Sequence, residues 1–210
     1  MVSDNGDDFT EICEAVKANY IHENIRTVVG DGEKRTLHEM TLPGIEVFLR
    51  RIYDHCIKST SDWVVWLGPD VRTIRRVRKF PTADIGGARK NPFSDSLTRH
   101  LTAKFGNDKE YVYGAAGGGV FRRLSFINAY ESNHDLEPFV KFDPNVARFD
   151  DMALGLLFLI NGYSYEDWPD VSEIFHDYSP VIRDSAFDHA YKYWYDQEFN
   201  DELLWNYSKE

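Results

Sequence analysis

Cysteine is scarce in this chain of 210 residues: there are two, Cys13 and Cys56. Each falls on the apolar face of a helical pattern, so buried, reduced thiols in a reducing compartment are expected rather than a disulfide framework. Positive charge is also short. Twenty-four Lys and Arg stand against 35 Asp and Glu, a net charge of −11. A surface that acidic disfavours a general nucleic-acid binder, which needs clustered cations to neutralise phosphates. Long apolar runs are missing too. The longest, Met152 to Ile160, includes Gly155 and is far too short to cross a bilayer. The start, Met1 to Asp8, has neither a basic region nor an apolar run, so no signal peptide is expected and the cytoplasm is the expected location. There is no internal repeat, no zinc-ligand spacing, no Ser-His-Asp signature, and no phosphate loop or dinucleotide fingerprint.

Apolar residues make up 42% and aromatic residues 15% of the chain, enough for a real core in one large domain or two small ones. The most informative stretch is Asp62 to Val71. Trp63-Val64-Val65-Trp66-Leu67 is an unbroken apolar run, β-branched and aromatic, too short for a helix and closed by Gly68-Pro69. It reads as a strand buried on both faces in the middle of a mostly parallel sheet. The acid that follows, Asp70, stands where ligands bind in open α/β sheets, off the carboxyl ends of central strands. It either holds a metal ion bound to phosphate or merely opens a turn after Pro69.

Around this strand the pattern alternates. Val2-Ser3 reads as a very short strand turning out through Asp4-Asn5-Gly6. A helix opens at Asp8-Phe9-Thr10, with Phe9, Ile12, Cys13, Val16 and Tyr20 at helical spacing. Ile25 to Val29 is a second strand, closed by Gly30-Asp31-Gly32. A polar loop with Lys34, Arg35 and His38 leads to a helix from Gly44 to Lys58, with Ile45, Phe48, Ile52 and Cys56 on one face. Such alternation predicts an α/β fold, with the acidic loops of Asp4, Asp31 and Asp70 along one sheet edge.

The run Arg72 to Lys79 is conspicuously basic for an acidic chain. It is a solvated face, or one or two of its cations meet a diphosphate. Thr82 to Leu97 reads as a long loop in which Asp84 is the acid to watch, and Leu97 to Phe105 as a helix. Tyr111-Val112-Tyr113 is a short strand running into the glycine-rich Gly114 to Val120, which is either a bend or a close approach to a ligand. A helix follows over 121–132. Asp150 and Asp151 open an apolar helix. One acid can cap it, and the other can point into a site as a base. Tyr163 to Tyr165 reads as a strand, His176 as a structural residue or a ligand, and Ser185 to Tyr207 as an acidic, aromatic C-terminal helix.

Three pieces in this order resemble a nucleotide-sugar glycosyltransferase of the GT-A fold, in particular the glycosyltransferase domains of chlorella-virus proteins. They are Trp66 to Asp70, then Tyr113 to Gly119, then Phe149-Asp150-Asp151. The resemblance implies one glycosyltransferase domain over 1–210, with a nucleotide-binding half up to residue 80 and an acceptor half from residue 81. It also implies a viral protein in host cytoplasm, part of a longer multidomain chain, acting on a glycan. Carried over by position, Ser3, Asp4 and Asn5 would meet the uridine of a UDP-sugar, of glucose or rhamnose type. Asp31 would meet its base or ribose. Asp70, with His176, would hold Mn²⁺ or Mg²⁺ against the diphosphate. Gly117 and Gly118 would floor the sugar and acceptor pocket. Asp151 would be the base of an inverting transfer, with Asp150 beside it. One position departs from the family's acid-x-acid motif: its first acid is Gly68 here. That departure keeps a second class open, a catalytically silent nucleotide-sugar or glycan-binding module. A nucleotidyltransferase is disfavoured, because Ser3 to Asp8 is too short and too acidic for a triphosphate loop. A structural interaction domain would rest on the aromatic C-terminal segment.

Overall fold

The computed structural model describes residues 2–4, 10–22, 42–68, 71–114, 118–132, 135–147, 149–173 and 185–189. It is a mixed α/β structure. In chain order the elements are β1 (Val2–Asp4), α1 (Thr10–Ala15), β2 (Tyr20–His22), α2 (Leu42–Lys58), β3 (Trp63–Leu67), β4 (Arg72–Thr73), β5 (Ile85–Gly87), β6 (Lys90–Pro92), α3 (Asp95–Phe105), β7 (Val112–Gly114), β8 (Gly118–Arg122), α4 (Arg123–Ser132), α5 (Glu137–Val140), a 3₁₀ turn (Pro144–Ala147), α6 (Asp150–Ile160), β9 (Tyr165–Asp167), β10 (Val171–Glu173) and β11 (Phe187–His189).

The largest sheet has the order β3-β8-β5-β9. It is mixed rather than mostly parallel: β8 runs antiparallel to both β3 and β5, and β5 runs parallel to β9. Among the described residues β3 is therefore an end strand. Its five residues are half-buried rather than sealed. Both of its faces are nonetheless covered, as its sequence predicts. Val64 and Trp66 pack into one core with Ile85, Phe121 and Phe158. Trp63, Val65 and Leu67 pack into a second, built on Val120, Trp168, Val171 and Phe187. Strand alternation feeds the two cores from one segment. Smaller pairings accompany this sheet: β1 with β2 in parallel, β6 with β7 antiparallel, and β11 with β10 in parallel and with β4 antiparallel.

The helix α2 forms where the apolar spacing predicts it, with Ile45, Phe48, Ile52 and Cys56 all buried. Phe48 meets Trp66 edge-on, with ring centroids 5.9 Å apart. Burial of each such side chain contributes roughly 1.5–3 kcal/mol. Arg123 ties three element ends together. Its Nε donates to Ser61 O at 2.7 Å, its Nη1 to Cys56 O at 3.1 Å, and its backbone N–H to Asp62 O at 2.9 Å. Carbonyls left over at the end of α2 are thus satisfied.

Several expected elements shift. The first helix is short and ends before Tyr20. Lys17 adopts a left-handed φ of +57°, and Tyr20 pairs with Val2 in a strand. Ile12 and Val16, which share the helical spacing of Cys13, are exposed. The stretch 82–97 is not one long loop: it holds β5, β6 and the start of α3. The glycine-rich segment contains β8, and the strand expected at 163–165 lies at Tyr165–Asp167. The segment from Ser185 opens with β11 rather than a helix. The strand expected over 25–29, the loop over 32–41 and the remainder of the C-terminal segment lie outside the described residues.

Candidate functional site

The sheet register sets out one edge of the molecule. Leu67, the last residue of β3, pairs with Gly118, the first of β8, and Trp66, Gly119, Gly87 and Asp167 form one row across the four strands. The carboxyl ends of β3, β5 and β9 therefore lie on the same edge as the amino end of β8. Asp70 follows three residues after Leu67.

Glycine is needed on this edge because backbone meets backbone. A Cβ on Gly118 would lie 2.8 Å from Trp66 O, and one on Gly119 would lie 2.9 Å from Gly86 O. Gly118 is buried in β8, and its missing side chain makes room for β3. A second glycine contact lies where β5 crosses β7. A Cβ on Gly87 would meet Gly114 Cα at 2.9 Å and the Tyr165 hydroxyl at 2.8 Å, and one on Gly114 would meet that hydroxyl at 2.9 Å. The Tyr165 hydroxyl donates to Arg89 O at 3.0 Å. Tyr165 thus holds the ends of β5 and β7 together. Sequence reasoning missed this role: glycines at 86–87 and 114 read as loop, although paired glycines also permit a close crossing.

The paired acids open α6 as expected. The residue before them, Phe149, is the N-cap and makes no side-chain cap bond, so neither acid occupies that position. Asp150 Oδ1 accepts from Asp151 N at 3.0 Å, and Asp151 Oδ1 accepts from Met152 N at 2.8 Å. Two acids in the first turn suit the positive end of the helix dipole. From Met152 to Leu159 every residue of α6 is buried. Gly155 presses on β7: a Cβ there would lie 2.7 Å from Tyr113 Cβ. Asp151 stands one turn before Gly155 and so shares that face. The carboxylate pair therefore sits at the start of a helix that is buried from Met152 to Leu159 and lies against β7, the strand that runs toward the glycine-rich segment.

Of the donor-binding candidates, Ser3 and Asp4 fall in β1 and pair with Ile21 and His22 of β2. Asn5, Asp31, Asp70, Gly117 and His176 lie outside the described residues. A hydrogen bond from Val71 N to Gly68 O, at 3.3 Å, spans the positions on either side of Pro69-Asp70. Among the described residues no group of three or more His, Cys, Asp or Glu is placed to hold a metal ion.

Two other acids serve the scaffold. Asp84 accepts from Ser125 Oγ at 2.9 Å, Ser164 N at 3.2 Å and Ser164 Oγ at 3.1 Å, joining β5 to α4 and to the entry of β9. Glu166 accepts from Thr82 Oγ1 at 2.6 Å, Thr82 N at 3.0 Å and Ala83 N at 3.2 Å. The Thr82 hydroxyl, followed by these N–H groups, holds the Glu166 carboxyl below its ordinary range.

The basic run divides. Arg75 points inward, its Nη2 at 2.5 Å from Asp170 Oδ1, while Arg76, Arg78 and Lys79 are exposed. Within a run expected either to be solvated or to bring one or two cations to a diphosphate, Arg75 is engaged in an ion pair with Asp170. Among the described residues no helix is long and apolar enough to cross a membrane. No protein-family model matches the chain, and no curated protein matches it significantly.

Proposed function

We propose that the chain is a GT-A glycosyltransferase that moves a sugar from a UDP-sugar to a hydroxyl of a glycan, with inversion and with Asp151 as base. The observation that carries this reading is the placement of Asp150 and Asp151 at the start of the buried helix α6. The strand beneath that helix leads to the glycine-rich segment, whose far end, Gly118, pairs with the last residue of β3. The described parts of the three pieces are thus in contact: Trp66 and Leu67 with Gly118 and Gly119, and Tyr113 with Gly155 of α6. A carboxylate in the first turn of a buried helix can take the proton of an acceptor hydroxyl, an effect of about 10²–10⁴-fold. Asp150 keeps the helix start in place through its bond to Asp151 N. Ser3 and Asp4 on β1, with Asn5 and Asp31, are the proposed uridine contacts. Gly117 and Gly118 are the proposed floor for the transferred sugar.

A divalent ion, Mn²⁺ or Mg²⁺, would stabilise the departing diphosphate when bound, with Asp70 and His176 as the proposed donors. Viral origin and action on a viral glycan belong to the same proposal.

A second reading is a binding module without turnover. It is favoured by Gly68, which stands where the family's motif has its first acid.

Thermal unfolding with UDP and UDP-sugars, with and without Mn²⁺, tests donor binding. A ligand specific for the native state at a hundred times its Kd adds about 2.7 kcal/mol. Stabilisation by a UDP-sugar is the expected result. An unchanged transition with every nucleotide would leave the glycosyltransferase reading without support.

A further inference from the structure

The basic run left over from the donor site has a surface of its own. Residues 72–79 carry five of the chain's 24 Lys and Arg and no acid. Their side chains split by direction. Arg75 turns in to Asp170, and Val77 packs on the second core with Trp168 and Phe187. Ile74, Arg76, Arg78, Lys79 and Phe80 are exposed, with Ile74 at 41% and Phe80 at 40%. The inward pair fixes the outward set: Asp170 Oδ2 also accepts from Arg78 N at 2.8 Å, and Lys79 O accepts from Trp168 Nε1 at 2.8 Å. Phe80 is held as well, stacked on Trp63 at 5.2 Å with the rings 9° apart. The exposed Arg122 lies 4.5 Å from the same indole and extends the cationic strip.

We propose that this strip is a docking surface for an anionic lipid bilayer. Cations bracketed by two exposed apolar side chains match a membrane interface, where headgroups meet the Arg and Lys and the hydrocarbon boundary takes Ile74 and Phe80. A soluble polyanion would leave the apolar pair in water. The acidity of the rest of the chain does not forbid the contact, because exposed charges are screened beyond about 8 Å at physiological salt. Anchoring of this kind would bring an enzyme with a lipid-linked or membrane-bound acceptor to its substrate without a spanning helix.

The test is sedimentation of the full chain with vesicles of phosphatidylcholine alone or with added phosphatidylserine. The expected result is pelleting with the anionic vesicles only, released as salt rises. Arg76→Ala with Lys79→Ala should weaken binding about fivefold per cation removed. Both positions are exposed, and the melting temperature of the double variant reports whether it is folded. The salt series on the unaltered chain gives the same reading without any substitution. Equal pelleting with neutral vesicles, no pelleting with anionic ones, or a folded double variant that binds like the parent would overturn the proposal. Retention on heparin without vesicle binding would overturn it in favour of a soluble polyanion.

Discussion

Gly155 of α6 and Tyr113 of β7 lie so close that a single added methyl group at position 155 would sit 2.7 Å from Tyr113 Cβ. This contact sets the depth at which α6 lies on the sheet, and with it the position of Asp151 one turn earlier. Gly155→Ala is a sharp test because two effects oppose. Ala gains about 1 kcal/mol in helix propensity, whereas overpacking against a strand costs about 1–3 kcal/mol. The neighbouring atoms include Tyr113 Cα at 3.1 Å, which cannot rotate away. A net loss of stability in urea unfolding is therefore expected. A gain would mean that the helix and strand can move apart.

The Arg75–Asp170 pair anchors the second core. Asp170 is 5% exposed, and its backbone carbonyl accepts from both Ala186 N and Phe187 N at 2.8 Å. Asp170→Asn leaves the guanidinium beside a neutral group and should cost about 3–5 kcal/mol by denaturant unfolding. A loss below 1 kcal/mol would mean that the pair is solvated in practice.

The same group gives a pH dependence with a definite sign. Burial is the largest influence on Asp170 and pushes its carboxyl upward, but the hydrogen bonds from Arg75 and from the Arg78 and Lys79 N–H groups outweigh it, and the folded value falls below the ordinary 3.8. A depressed carboxyl stabilises the fold above its unfolded value and loses that contribution as pH falls through the folded value. The stability gap between the parent and Asp170→Asn should therefore be constant near neutrality and narrow only below pH 3.8. A gap that narrows between pH 7 and 5 would contradict this assignment.

Burial pushes the Cys56 thiol up to about 12, and the residue is 0% exposed. Cys13 is buried as well. Thiolate is the reactive form, so iodoacetamide at pH 8 should leave Cys56 unlabelled in the native protein; burial alone should shield Cys13, and both should label in urea, as read by mass spectrometry. Rapid native labelling of Cys56 would mean that α2 opens locally.

Legibility in the sequence followed how a segment gets its stability. The helix α2, the strand β3 and the helix α6 draw theirs from contiguous apolar side chains, so periodicity alone placed them. The strands β5 and β8 were hidden because their glycines lower strand propensity. Those glycines exist because Trp66 O, Gly86 O and the Tyr165 hydroxyl occupy the space a Cβ would fill, and that crowding arises only after the chain has folded. Tyr20 kept the helical period of Phe9, Ile12 and Val16, but the reversal at Lys17 moved it into β2. At the site, the acids opening α6 were visible as a pair before an apolar run. Arg75 was visible only as part of a basic run, because its partner, Asp170, is 95 residues away.

Whether Asp151 is the base of the proposed sugar transfer is read from UDP release from a panel of UDP-sugars by the parent chain and by Asp151→Asn, with a glycan acceptor present. The account predicts turnover with one UDP-sugar, a fall of about 10²–10⁴-fold in Asp151→Asn, and undiminished stabilisation of the variant by the same UDP-sugar. Full turnover by a folded Asp151→Asn, or no UDP release by the parent with any donor that binds it, would contradict the claim, and the second result would favour the binding module.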